Sequence, residues 1–125
     1  MSQMNWDREV DVLVVGTGNG GLTAAVCNWE MGTKDVLIIE KQDKVGGTSA
    51  TSGGGIWIPN SHYAKEAGAE DNPQDARAYL MNTLFGEDVP EEMIDIYLEK
   101  SPEMLKFLHD RTDVRYESLP ESPDY

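Results

Sequence analysis

A glycine-rich turn that directly follows a short apolar run is the feature that most constrains the fold of this chain. The run is Asp11-Val12-Leu13-Val14-Val15, and the turn is Gly16-Thr17-Gly18-Asn19-Gly20-Gly21. Branched apolar residues favour an extended backbone, so the run predicts a buried strand. Glycines spaced like Gly16, Gly18 and Gly21 permit a tight turn, close approach of a ligand to the backbone, and close packing of a helix on a strand.

The residues after the turn predict a helix and a second strand. Leu22, Ala25, Val26 and Trp29 recur at the spacing of one helical face, which predicts a helix over about residues 20 to 31. The apolar segment from 35 to 39 predicts the second strand. A strand, a helix and a strand in this order indicate an α/β fold with a parallel sheet.

An acidic residue, Glu40, closes the second strand 19 residues after Gly21. A carboxylate at this position accepts hydrogen bonds from the ribose hydroxyls of a dinucleotide, and its charge repels a 2′-phosphate. The sequence therefore predicts a dinucleotide with an unphosphorylated ribose. The alternative interpretation is that Glu40 is only a solvated strand end.

A second glycine-rich segment follows where a simple nicotinamide-binding unit would continue into another helix. Residues 46 to 55 hold five glycines and four hydroxyl residues. Such a loop brings backbone N–H groups and hydroxyls close to a phosphate or a flat ring system. A flexible linker has a similar composition and is the alternative.

Residues 46 to 60 resemble the flavin loop of the FAD-dependent fumarate reductase and 3-ketosteroid dehydrogenase flavoprotein family. The pattern G-G-T-S-x-x-S-G-x-x-x-W-x-P is most similar to that of the 3-ketosteroid Δ1-dehydrogenases. The resemblance implies a Rossmann-like FAD-binding βαβ start, followed by a helical section. It also implies that FAD is the cofactor. The FAD contacts that it implies are Gly16, Gly18, Asn19, Gly20, Gly21, Glu40, Lys41, Gly47, Thr48, Ser49, Ser52, Gly53 and Gly54.

The last residues, Pro123-Asp124-Tyr125, resemble the segment of those dehydrogenases that carries an active-site tyrosine. The resemblance implies that Tyr125 is catalytic in removing a proton beside a ketone while hydride passes to the flavin. The alternative is an exposed or packing tyrosine. The activity implied is dehydrogenation of a small apolar substrate, a 3-ketosteroid. A fumarate reductase-like enzyme for an unsaturated acid and a truncated noncatalytic FAD-binding module are the other candidates.

The chain length limits how much of such a fold is present. Only two parallel strands are predicted in 125 residues, whereas a doubly wound sheet needs more strands to cover its apolar faces. We therefore expect an incomplete sheet and the amino-terminal part of a larger flavoprotein. Residues 1 to 60 are predicted to be the FAD-binding segment, and residues 61 to 125 a helical section of the same domain.

Helix signals dominate the second half of the sequence. Residues 61 to 67 predict a short turn, and Asn72 and Pro73 predict the start of a longer helix. Pro90 predicts another start, and Ser101-Pro102-Glu103 predicts its stop and the beginning of a further helix. Residues 113 to 116 are a candidate short strand.

The charge and composition of the chain limit the kinds of ligand and partner that we expect. The net charge of −13 disfavours nucleic acid, and a single cysteine with two separate histidines gives no metal-ligand pattern. The sequence begins with polar residues and contains no apolar stretch long enough to span a bilayer, so we expect a cytoplasmic protein without a transmembrane segment.

Overall fold

The structure is a computed structural model that describes residues 5–119. In chain order its elements are β1 (Val12–Val15), α1 (Asn19–Glu30), β2 (Val36–Ile39), a short 3₁₀ helix (Gly47–Thr51), α2 (His62–Glu66), α3 (Pro73–Thr83) and α4 (Glu91–Arg111). The chain divides into two compact units between Gly55 and Ile56. The mixed helix and strand content confirms the predicted α/β class.

In the first unit, β1 and β2 form a parallel sheet with Val12 opposite Val36 and Val15 opposite Ile39. Helix α1 connects the strands and packs on both of them. Its buried residue is Ala25, whereas Trp29 on the predicted apolar face is half exposed. Within residues 5–119 the sheet has only these two strands, so much of its apolar surface remains accessible.

In the second unit, the predicted helix start at Asn72 is confirmed by its capping hydrogen bond, and residues 61 to 67, predicted as a short turn, contain the short helix α2. The Asn72 side chain accepts from the Asp75 N–H at 2.8 Å, and Pro73 occupies the first turn of α3. The Ser61 hydroxyl accepts from the Ala64 N–H at 3.1 Å at the start of α2. Both caps satisfy amides that have no partner inside their helix.

The predicted stop at Ser101-Pro102-Glu103 is wrong, because α4 continues through Pro102 to Arg111. The buried residues of α4 are Ile94, Ser101, Leu105 and Leu108, which recur at intervals of seven, four and three residues. This spacing keeps them on one helical face on both sides of the proline. Burial of that continuous face outweighs the hydrogen bond that Pro102 cannot make.

The candidate strand over residues 113 to 116 is also wrong, since no regular structure forms there. The segment instead makes hydrogen bonds back to the end of α4. The Tyr116 N–H donates to His109 Nδ1 at 3.1 Å, and Arg115 Nη1 donates to the His109 carbonyl at 2.8 Å. These contacts replace the pairing that a strand requires.

Helices α3 and α4 pack together, and an arginine bridges them. Arg77 contacts Glu91 at 2.6 Å and Asp95 at 2.7 Å.

At the start of the unit, the Trp57 ring lies 5.2 Å from the Tyr79 ring and 6.4 Å from the Tyr97 ring, measured between centroids. This aromatic cluster accounts for Trp57 as a packing residue of the second unit.

Candidate functional site

The turn between β1 and α1 is shaped by its glycines. Gly16 has a positive φ of 97°, and its N–H donates to the Ile39 carbonyl at 2.7 Å, which fixes the turn to the end of β2. Gly18 is the N-cap residue of α1 and has no side chain to cap the helix. The Ser49 hydroxyl engages the Asn19 N–H at 3.2 Å, which leaves the amides of Gly20 and Gly21 available to a ligand. The positive end of the helix dipole favours an anion there.

Gly21 lies in the first turn of α1 and has no room for a side chain. A Cβ atom on Gly21 would lie 2.2 Å from the Gly16 carbonyl oxygen and 3.4 Å from the Val14 side chain. The helix thus approaches the strand as closely as the sequence predicted for the third glycine of the motif.

The Glu40 carboxylate, at the end of β2, is held by four hydrogen bonds. Oε2 accepts from the Thr17 N–H at 3.0 Å and from the Thr17 hydroxyl at 2.5 Å. Oε1 accepts from the N–H groups of Lys41 and Gln42, at 2.8 and 3.1 Å. The Thr17 hydroxyl contributes most to lowering the pKa of Glu40, from 4.5 to about 2, and the backbone N–H groups add to it. The group is therefore an oriented anion rather than a freely solvated strand end.

Thr17 is a site residue that the sequence analysis missed. Its side chain is buried, with 4% exposure, between the turn and the second glycine-rich segment. The Gly46 N–H donates to the Thr17 hydroxyl at 2.8 Å. A hydroxyl residue between the first two glycines of the motif was the available signal, because the carboxyl ends of adjacent parallel strands meet at one edge of the sheet.

The second glycine-rich segment is a folded element, contrary to the linker alternative. Gly46 has a φ of 108°, and a Cβ atom there would lie 2.4 Å from the Ala50 Cβ. The 3₁₀ helix follows directly, and a Cβ on Gly47 would lie 3.6 Å from the Gly18 Cα. The Ser49 hydroxyl accepts from the Asn19 N–H at 3.2 Å, at the start of α1. The segment therefore lies against the turn and the helix start.

These parts enclose an open cavity of about 780 Å³. The predicted contact residues that line it are Gly16, Gly18, Glu40, Lys41, Gly47 and Thr48. The lining residues that were not predicted are Val15, Thr17, Ile39, Gln42 and Thr51.

The other predicted contact residues do not line the cavity. Asn19, Gly20 and Gly21 form the first turn of α1, and Ser49 bonds to that turn. Ser52 follows the 3₁₀ helix, where its hydroxyl accepts from the Gly54 N–H at 3.2 Å, and Gly53 lies between the two. The predicted catalytic residue, Tyr125, lies outside the described residues.

The arrangement fits a dinucleotide such as FAD. It places the start of α1, glycines without side-chain obstruction and an oriented carboxylate around one cavity. Helix-start amides suit a pyrophosphate, and a carboxylate suits ribose hydroxyls. Among residues 5–119, no three His, Cys, Asp or Glu side chains are grouped to hold a metal ion.

The family model of the FAD binding domain matches residues 11–122 of the chain. The chain belongs to this family, and its cofactor is FAD. Nearly the whole sequence is included in the match, so the helical second unit belongs to the family region as well as the glycine-rich first unit.

Two named relatives are dehydrogenases of cyclic ketones. The chain is 42% identical over 118 residues to a 3-oxosteroid 1-dehydrogenase of Mycolicibacterium smegmatis, a match that covers 94% of the chain and 20% of that protein. It is 40% identical over 115 residues to a 4-oxocyclohexanecarboxylate 2-dehydrogenase of Sinomonas cyclohexanicum, which covers 92% of the chain and 20% of that protein. The chain thus spans about a fifth of the length of these relatives.

A solved structure has the same fold. It is the 3-ketosteroid-delta4-(5alpha)-dehydrogenase of Rhodococcus jostii RHA1, determined in complex with 4-androstene-3,17-dione. The TM-score is 0.75 at 33% identity, over 87% of this chain and 22% of that protein. The predicted resemblance to the family of 3-ketosteroid dehydrogenases is therefore confirmed.

No helix in the described part of the chain is both long and apolar enough to cross a membrane.

Proposed function

We propose that the chain is the FAD-binding part of an oxidoreductase that dehydrogenates a 3-ketosteroid across a carbon–carbon bond beside the ketone. The observation that carries the proposal is the cavity in which the turn, Glu40 and the second glycine-rich segment meet. The identity of 42% to a 3-oxosteroid 1-dehydrogenase supports the reaction class. The same proposal includes an apolar steroid as the substrate, the position of this chain in the amino-terminal part of a larger flavoprotein, and a cytoplasmic location.

In this proposal, the first unit holds FAD in a Rossmann-like manner. The start of α1, with Gly18 and Gly20, receives the pyrophosphate. Gly18 lines the cavity, and among the described residues the Ser49 hydroxyl engages only the Asn19 N–H of the first turn. Glu40 accepts from the adenosine ribose. It lines the cavity, so a hydroxyl bound there can share one of its oxygens with the existing donors. Residues 1 to 60 supply the named FAD contacts, and residues 61 to 125 belong to the same domain.

The reaction removes two hydrogens from adjacent carbons and leaves a carbon–carbon double bond. Bound FAD supplies the acceptor for the hydride. We assign the proton to Tyr125, which takes it from the carbon beside the ketone, where the carbonyl stabilises the developing negative charge. Tyr125 acts as a general base because its phenolate oxygen can accept that proton and release it to solvent.

A smaller cyclic ketone is the second candidate substrate. The chain is 40% identical to the 4-oxocyclohexanecarboxylate 2-dehydrogenase, only slightly less than to the 3-oxosteroid enzyme. Both names describe dehydrogenation of a cyclic ketone, so the same proton and hydride chemistry applies to either substrate. The two candidates differ in the size and charge of the group that the substrate pocket must accommodate.

The described residues give less support to an unsaturated acid. A dicarboxylate needs arginines that are available to bind it. Arg8 is paired with Asp35, Arg77 with Glu91 and Asp95, and Arg115 with backbone carbonyls, so only Arg111 of the four described arginines has no partner. A noncatalytic FAD-binding module remains distinguishable from all three enzymes, because it would hold FAD without turnover.

The experiment is an anaerobic titration of the protein expressed from its complete reading frame. A visible flavin band that bleaches on addition of 4-androstene-3,17-dione is the expected result. The matched control is Tyr125→Phe, which should keep the flavin band and lose rapid bleaching. Bleaching by 4-oxocyclohexanecarboxylate alone would select the smaller ketone. A band that no ketone bleaches would overturn the dehydrogenase proposal, and a colourless protein would overturn the FAD site.

A further inference from the structure

We propose that Thr17 is a positioning residue of the FAD site, whose hydroxyl orients Glu40 toward the ribose and ties that carboxylate to the second glycine-rich segment. The inference rests on the proposed function of Glu40 as the ribose acceptor. It assigns to Thr17 a role through another residue, without requiring a contact between Thr17 and FAD.

The hydrogen bonds around the Thr17 hydroxyl run in one direction. The Gly46 N–H can only donate, so the Thr17 oxygen is the acceptor of the 2.8 Å bond. An ionised carboxylate can only accept, so the Thr17 hydroxyl proton is directed to Glu40 Oε2. The resulting chain of hydrogen bonds leads from Gly46 through Thr17 to Glu40. The Thr17 hydroxyl accepts from the Gly46 N–H and donates to the Glu40 carboxylate.

Thr17 differs from the other donors to Glu40. Three of the four donors are backbone N–H groups, those of Thr17, Lys41 and Gln42. The Thr17 hydroxyl is the one supplied by a side chain, and among the four it alone also contacts the second glycine-rich segment. It therefore couples the position of the ribose acceptor to the position of the loop that faces the same cavity.

The burial of Thr17 makes this coupling strong. Thr17 is 4% exposed, and its bond from the Gly46 N–H is buried, so water cannot replace a lost hydroxyl at the Gly46 end of the chain of bonds. Loss of the hydroxyl would leave the buried Gly46 N–H without its acceptor and Glu40 without its shortest hydrogen bond. Charge-assisted bonds of this kind are the stronger ones, which is why a carboxylate is held well by them.

The test is a double-mutant cycle on FAD affinity, measured by flavin fluorescence with the apoprotein of the complete reading frame. The variants are Thr17→Val, Thr17→Ser, Glu40→Gln and the double variant Thr17→Val with Glu40→Gln. Thr17→Val should weaken FAD binding about tenfold, and Thr17→Ser, which keeps the hydroxyl, should stay within about threefold of the parent. The double variant should bind no more weakly than Glu40→Gln, because Thr17 acts through Glu40.

The control for loss of a threonine hydroxyl is Thr83→Val in α3, whose hydroxyl donates to the Tyr79 carbonyl at 2.9 Å. This variant should leave the FAD affinity unchanged. Thermal unfolding of each apoprotein identifies variants that fail to fold. Where Thr17→Val fails, the pair Thr17→Ala and Thr17→Ser provides the same comparison with and without the hydroxyl.

Two results would overturn the inference. One is parental FAD affinity in Thr17→Val, and the other is a double variant whose loss is the product of the two single losses. A parental affinity in Glu40→Gln would instead overturn the proposed role of Glu40 at the ribose. Weak binding in Glu40→Gln with parental binding in Thr17→Val would leave that role intact and refute only the role of Thr17.

Discussion

Gly21 faces the carbonyl oxygen of Gly16 so closely that a Cβ atom on Gly21 would lie 2.2 Å from it. Because the obstacle is backbone rather than a flexible side chain, α1 would have to move away from β1 to admit a methyl group. We expect Gly21→Ala to lower the free energy of unfolding by about 2 kcal/mol or more. Urea denaturation followed by circular dichroism measures the change.

Gly20→Ala is the matched control for that prediction. Gly20 lies in the same helical turn, and a Cβ atom there would meet nothing within 4 Å. Alanine has the higher helix propensity, so Gly20→Ala should be neutral or stabilising by up to about 1 kcal/mol. Equal destabilisation by the two variants would show that the contact between Gly21 and Gly16 is not what excludes a side chain at position 21.

The stabilisation from Glu40 should depend on pH in a defined direction. Its pKa in the folded chain is about 2, below the ordinary value of 4.5, because the folded state donates hydrogen bonds to the ionised form. The ionised group therefore stabilises the fold fully above its ordinary pKa, and this contribution is lost as the pH falls toward about 2. The parent and Glu40→Gln should differ in stability by a constant amount from about pH 7 to about pH 5, and by less below that.

Denaturation midpoints of the two proteins at a series of pH values test this dependence. The comparison with Glu40→Gln removes the titration of the other carboxyl groups, which both proteins share. A difference in stability that widens with acidification, or that has already vanished near neutral pH, would contradict the lowered pKa.

The sequence predicted those features that depend on neighbouring residues. The two strands, the closeness of Gly21 to β1 and the cap at Asn72 each follow from a local pattern, because glycine, asparagine and branched residues have strong backbone preferences. The 3₁₀ helix of Gly47–Thr51 lacks such a signal, since glycine and small hydroxyl residues suit many backbone conformations.

Features that depend on distant residues were missed. The role of Thr17 requires Glu40 and Gly46, which lie 23 and 29 residues later in the chain. The residues around Pro102 have the same local pattern as those around a proline at a helix start. Only the continuous buried face of α4 shows that Pro102 lies inside a helix. Local propensity therefore gave the wrong result where tertiary packing determines the structure.

The buried face of α4 should be more sensitive to truncation than its exposed face. Leu105 is 5% exposed, whereas Met93 in the same helix is 58% exposed. We expect Leu105→Ala to lower the free energy of unfolding by about 2 to 4 kcal/mol, since it removes buried methyl groups and leaves a cavity. Met93→Ala should change it by less than about 1 kcal/mol. Comparable losses in the two variants would place Met93 in a buried environment in the protein.

The course of α4 through Pro102 is tested by replacing the proline. Inside a helix a proline removes one backbone hydrogen bond and crowds the preceding turn, so Pro102→Ala should raise the free energy of unfolding by about 1 to 3 kcal/mol. Pro73 provides the control, because it lies in the first turn of α3, where its missing N–H has no partner to lose. Pro73→Ala should be neutral or slightly destabilising, by about 0.5 kcal/mol. If Pro102→Ala instead behaved like Pro73→Ala, Pro102 would begin a separate helix, and the two halves of α4 would not share one buried face.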